Sequence, residues 1–196
     1  MSKRWVLVLL TFILSTLTLS AQVSGRKIDT TMKVGKTGYR VTCTNKRLDK
    51  NLVNITPVGF GKDVQGFSLE VKGTVDWAET DDLNQDGYTD LVVYLRTSDS
   101  MQRASLLAII NENNESVAPS ILPDILDDAK LRIGYKGNDT LYLMQGTLTR
   151  RFPVDQNDNI NATESGKLMR IIQYQVVKAE GGRYKFTPVR TYHAKQ

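Results

Sequence analysis

Oxygen-bearing side chains recur at short intervals in the stretch Asp82-Leu83-Asn84-Gln85-Asp86-Gly87-Tyr88-Thr89-Asp90. Asp82, Asn84, Asp86 and Asp90 can turn their oxygens toward one point, with Gly87 allowing a sharp bend. Ca²⁺ takes about six to eight such hard ligands. The string departs from an EF-hand loop: Val93 stands at the twelfth position, where a bidentate Glu is needed. A metal-free turn is the other reading, in which Asp and Asn oxygens accept neighbouring backbone N–H groups. A second polar stretch follows at 97–103, with hydroxyls at Ser98 and Ser100, Met101 between polar neighbours, and a guanidinium at Arg103. Catalysis finds little support. His193 is the only histidine and stands close to the end of the sequence, so no Ser/His/Asp or Cys/His set can be drawn without it. Glu70, Glu79 and Asp81 carry nothing that marks any two as a pair. No enzyme is expected.

These groups need elements to hold them. The apolar runs 91–96 and 104–110 flank the second polar stretch, which makes it the tip of a β-hairpin whose base is the Asp-rich turn. The tip is the best candidate for a working surface. Alternation of apolar and polar residues predicts further strands at 39–44, 52–58, 67–71, 73–78, 140–144, 146–152, 167–178 and 184–192. Residues 27–36 read as a loop or an edge strand. Residues 121–131 carry the only helical spacing, enough for one or two turns, and 155–166 form a polar loop. No internal repeat stands out. The expected fold is all-β: an antiparallel β-sandwich or flattened barrel of about 8–10 strands with one short helix. Trp77, Tyr94, Tyr142, Tyr174 and Tyr184 fall at alternating positions and are expected in or near the core.

The start of the chain has its own character. Lys3 and Arg4 precede an apolar run from Trp5 to Leu14 and then small or uncharged residues, the layout of a secretory signal peptide over 1–21. The run is too short to favour a permanent membrane span. Residues 22–196 then form one domain, located in the periplasm or secreted, with no membrane insertion after cleavage. Losing Lys3 and Arg4 lowers the net charge of +5 by two. The remaining positive charge is dispersed, which argues against nucleic acid. Cys43 is the only cysteine, so no disulfide within the chain can staple the fold. Cys43 alternates with Tyr39 and Val41 and reads as a buried apolar filler.

Three stretches together resemble the periplasmic inhibitors of I-type (invertebrate-type) lysozyme. They are Asp82-Leu-Asn-Gln-Asp-Gly-Tyr-Thr-Asp90 with Leu91-Val-Val-Tyr94; Gly134-Tyr-Lys-Gly-Asn-Asp139; and Gln145-Gly-Thr-Leu-Thr-Arg-Arg-Phe-Pro153 with Arg170-Ile-Ile-Gln-Tyr174. The resemblance implies an exported β-sandwich that occludes a lysozyme cleft and performs no catalysis. It also allows a homodimer. It implies that a Ser-Gly-x-Tyr loop enters the cleft, its hydroxyls reaching the catalytic groups. Here that place reads Ser100-Met101-Gln102-Arg103, so Ser is kept while Gly and Tyr are replaced. Arg103 is expected to pair with a cleft carboxylate in place of the phenol. The other expectation is a non-inhibitory envelope binding module of the same fold, with or without Ca²⁺ as a stabiliser. No cofactor is required by either.

Overall fold

The computed structural model describes residues 25–154 and 168–195. The expected signal segment and the polar loop at 155–166 lie outside them. Twelve strands are present among the described residues, in three antiparallel sheets of four. The first sheet holds β1 (Ile28–Val34), β2 (Thr37–Cys43), β3 (Lys50–Val58) and β4 (Phe67–Lys72). The second holds β5 (Thr74–Asp81), β6 (Asp90–Arg96), β7 (Ala104–Glu112) and β8 (Ser116–Ile121). The third holds β9 (Thr140–Met144), β10 (Thr147–Pro153), β11 (Leu168–Lys178) and β12 (Tyr184–Lys195). Within each sheet the strands lie in chain order. The all-β antiparallel expectation holds, with more strands than the alternation suggested and no closed barrel.

The reason for three layers lies in β6 and β7. Leu91-Val-Val-Tyr-Leu95 and Leu106-Leu-Ala-Ile-Ile110 are apolar without alternation, and every one of these residues is buried. A strand that alternates covers one face; a continuous apolar run must be covered on both. Leu91, Val93, Leu95, Leu107 and Ile109 pack on the first sheet, against Tyr39, Val41, Val53 and Ile55. Val92, Tyr94, Leu106, Ala108 and Ile110 pack on the third, against Leu148, Phe152, Ile172 and Tyr174. The second sheet is thus the filling of a double sandwich. Cys43 sits in the first of these cores as a free thiol, its Sγ 3.2 Å from the Asn45 carbonyl oxygen Oδ1. Burial pushes that thiol above its ordinary pKa, which leaves it a poor nucleophile.

Several expectations need correction. Of the two readings of 27–36 the edge strand is the one that forms, as β1 over Ile28–Val34. Strand β8 was not anticipated, because Pro119 argues against a strand; it is tolerated since β8 is an edge and pairs only with β7. The helical spacing at 121–131 yields only a 3₁₀ turn, Ile125–Asp127, capped by the Asp124 carboxylate on the Leu126 N–H. Leu122 and Ile125 are buried as loop residues, so their spacing reflects core contact and not helix periodicity. Trp77 does not share the face of Val75. A bulge between these residues inserts Asp76, shifts the register and leaves Trp77 52 % exposed. Tyr142 on edge strand β9 is exposed too, whereas Tyr94 and Tyr174 are core residues and Tyr184 is half-buried.

Because β7 is buried on both faces, adjacent residues should be equally intolerant of truncation. Leu106→Ala and Leu107→Ala are each expected to cost about 2–5 kcal/mol in chemical denaturation. A two-layer fold would leave one of the pair nearly neutral.

Candidate functional site

The hairpin β6–β7 has its two ends fixed by two buried carboxylates. At the base, Asp90 is fully buried. Its Oδ2 accepts the Leu83 N–H at 2.9 Å and its Oδ1 the Asn111 N–H at 2.7 Å. Asp82 closes the turn in the same way, with Oδ1 accepting the Asp86 N–H at 3.0 Å and Oδ2 the Gly87 N–H at 2.8 Å. Asp86 accepts the Tyr88 N–H at 2.9 Å and the Asn84 side-chain amide at 2.8 Å. The Asx-turn chemistry legible in the sequence therefore forms. Gln85 and Gly87 take the positive φ that the turn requires.

This arrangement bears on a cation. The oxygens of Asp82 and Asp90 each serve a backbone N–H rather than converging on a common centre. Among the described residues no group of three or more His, Cys, Asp or Glu is placed to hold a metal ion. Asp82, Asp86 and Asp90 build the turn from the backbone's own donors, while the Asn84 side-chain oxygen Oδ1 is buried without a protein partner. Burial pushes the Asp90 carboxyl up to about 7; the two backbone N–H groups oppose the shift, while the charges of Asp86 and Asp82 add to it.

At the tip, residues 97–103 form a closed, internally bonded loop. The Thr97 N–H donates to the Arg103 carbonyl at 2.9 Å, and the Arg103 N–H to the Thr97 hydroxyl at 2.8 Å. Asp99 accepts from the Thr97 hydroxyl at 3.0 Å and the Met101 N–H at 3.1 Å. Arg103 is not held out to solvent. Its Nε and Nη2 fork onto Asp99 Oδ2 at 3.1 and 2.7 Å, and its Nη1 reaches Asp124. The guanidinium expected to meet a partner's carboxylate is thus already shared between two of the protein's own. Met101 points inward and packs on the core under the loop. The positive φ that a glycine would have supplied falls on Gln102, at 46°, and not on Met101. Ser98, Ser100 and Gln102 form the exposed rim.

A buried ion pair supports the tip from below, and sequence reasoning did not pick it out. Arg150 on β10 is 1 % exposed and Asp139 is fully buried. Arg150 Nε lies 2.9 Å from Asp139 Oδ2, an ion pair rather than an aligned hydrogen bond. Asp139 Oδ1 accepts the Ala104 N–H at 2.7 Å and the Tyr135 hydroxyl at 3.1 Å. Arg150 Nη2 donates to the Ala104 carbonyl at 2.7 Å. Both backbone polar groups of Ala104, the first residue after the loop, are therefore satisfied by this pair. The signal was present in the alternation Leu148, Arg150, Phe152, which puts an arginine on a core face and so demands a buried partner.

Strand β9 ties the two ends together. The Asn138 N–H donates to the Met101 carbonyl at 2.8 Å, and the Gly146 N–H to Asp81 Oδ2 at 3.2 Å. Gly137 has φ +81°, and a Cβ there would lie 2.0 Å from the Met101 carbonyl oxygen. At Gly146, φ +74°, it would lie 2.6 Å from the Asp82 carbonyl oxygen. Only glycine permits either approach. The stretches around Gly134–Asp139 and 145–153 thus meet the turn and the loop in space. No protein-family model matches the chain, and no curated protein matches it.

Two outcomes follow. Asp90→Asn replaces an acceptor of two buried N–H groups with an amide, at an expected cost of about 1–3 kcal/mol. A raised folded-state pKa means that the native state binds the proton more tightly, so the contribution of Asp90 is complete below the unfolded value near 4. It declines as pH rises toward 7. The gap between wild type and Asp90→Asn in urea denaturation should therefore narrow from pH 4 to pH 7. The turn's self-sufficiency predicts a melting temperature unchanged by EDTA; a fall of several degrees, restored by Ca²⁺, would show that an ion completes it.

Proposed function

We propose that the protein is an exported inhibitor that binds an I-type lysozyme and occludes its cleft with the loop at 97–103. The observation that carries this reading is the loop's order. A seven-residue tip without glycine or proline is closed on itself by Thr97, Asp99 and Arg103, anchored to the core by Met101 and tied by Arg103 to Asp124 on the neighbouring turn. A loop already fixed in one shape loses little conformational entropy on binding. It offers water the Ser98 and Ser100 hydroxyls, and its exposed carboxylate, Asp99, is already paired with Arg103. Lysozymes work with a carboxylic acid and a second carboxylate, and the Ser100 hydroxyl can donate to either.

The role of Arg103 differs in kind from that of Ser100. Ser100 is the contact group, and Arg103 is the strut that holds the contact in place. Asp99 and Asp124 leave its guanidinium little capacity for a third carboxylate. The layout of residues 1–21 supports export to the periplasm or beyond, where such a target would be met.

A turbidity assay with I-, C- and G-type lysozymes tests this directly. Stoichiometric loss of I-type activity is expected. Ser100→Ala should weaken inhibition about tenfold, or about 1.4 kcal/mol, with the melting temperature unchanged. Arg103→Ala should weaken it as much but also lower the melting temperature, because it frees the loop. If I-type lysozyme stays fully active at micromolar concentrations of the protein, the inhibitor reading fails.

A further inference from the structure

The geometry points to a saccharide-binding groove between strands β5 and β9, independent of the lysozyme reading. Both are edge strands of facing sheets, and they leave between them a cavity of about 350 Å³. Its walls include Trp77 from β5, Tyr142 from β9, the buried ring of Tyr94, and the polar groups Asp76, Arg96 and Thr140. Trp77 and Tyr142 are 52 % and 41 % exposed, so two large aromatic faces are open to solvent on either side of the cavity.

Trp77 is held, not loose. The Tyr94 ring meets the indole edge-on, with centroids 4.7 Å apart, and the Tyr94 hydroxyl is fixed by Glu79. Arg96 is held as firmly. Its Nε donates to Asp76 at 3.0 Å, and its Nη1 to the Gln102 and Asp139 carbonyls at 3.1 and 3.4 Å. The groove therefore combines fixed aromatic surface with a fixed polar rim.

The chemistry of the occupant follows by elimination. Among the described residues Asp76 and Arg96 are the only charged ones lining the groove, and they neutralise each other, which gives an ionic ligand no net attraction. Strand addition to β5 is disfavoured, because the bulge that turns Trp77 outward also interrupts the ladder a new strand would extend. The cavity is concave and at the small end of ligand sites, whereas a stable protein interface needs about 800 Å² from each partner. What fits is a neutral ring with an apolar face and a rim of hydroxyls. A pyranose has both: its C–H face can lie on an aromatic ring while its hydroxyls reach Asp76, Arg96 and Thr140.

A single tryptophan makes the test direct. Trp5 lies in the expected signal segment, so Trp77 is the only tryptophan of a chain beginning at residue 22. Titration with N-acetylchitotetraose and with cellotetraose, both neutral and β-1,4-linked, is followed by Trp77 fluorescence and by calorimetry. A saturable change with at least one of them is expected, weakened about tenfold or more in Tyr142→Ala and unchanged in Ser100→Ala. Trp77→Phe, read by calorimetry alone, keeps an aromatic surface and should retain part of the affinity. Circular dichroism and thermal melts establish that each variant is folded. No saturation by either sugar at millimolar concentration overturns the proposal, as does equal binding by folded Tyr142→Ala. A lysozyme that perturbs Trp77 when neither sugar does would make the groove a protein interface, and would likewise overturn it.

Discussion

The burial of β6 and β7 on both faces is the constraint from which the rest follows. A hairpin made of continuous apolar residues cannot sit at a surface, so a sheet must cover each side of it. The turn at 82–90 and the loop at 97–103 are where the chain at the two ends of that hairpin comes to the surface, while the strands between them are mostly buried. They are its two ends, and whatever this unit presents to a partner is presented there. The same burial makes every polar group at those ends expensive to leave unpaired.

That cost explains the two buried carboxylates. Asp90 and Asp139 stand at opposite ends of the hairpin, and each takes up N–H groups where β-pairing gives out. Asp90 serves Leu83 and Asn111; Asp139 serves Ala104 and is itself balanced by Arg150. Such a pair adds less net stability than its proximity suggests, since both ions were desolvated to form it. Its effect is on position. With Ala104 held at both its N–H and its carbonyl, the loop begins and ends at fixed points.

How much of this could be read from residues alone depended on distance along the chain. The turn at 82–90 was legible because its partners are neighbours: Asp82, Asp86 and Asp90 bond within a few residues or to the adjoining strand. The hairpin was legible for the same reason. The internal pairing of Arg103 was not legible because Asp124, one of its two partners, lies 21 residues away. Trp77 was misjudged because counting by twos fails at a bulge, and nothing in Val75-Asp76-Trp77 announces one. The third layer was missed although its sign was present in the unbroken apolar runs of β6 and β7. Such runs, lacking the alternation of a strand with one wet face, require cover on both sides.

The order of strands within each sheet has a kinetic meaning. Within each sheet every strand pairs with its neighbours in the chain, so each sheet can assemble from consecutive hairpins. Pairing is local, but burial is not. The middle sheet, assembled alone, would offer water two apolar walls, and it gains its stability only when both flanking sheets arrive. Since β9 to β12 follow the other eight strands in the chain, a growing chain would hold an incomplete core until they emerged. Folding should then be a late, all-or-none event, and a chain that ends before β12 has no stable smaller fold to fall back on.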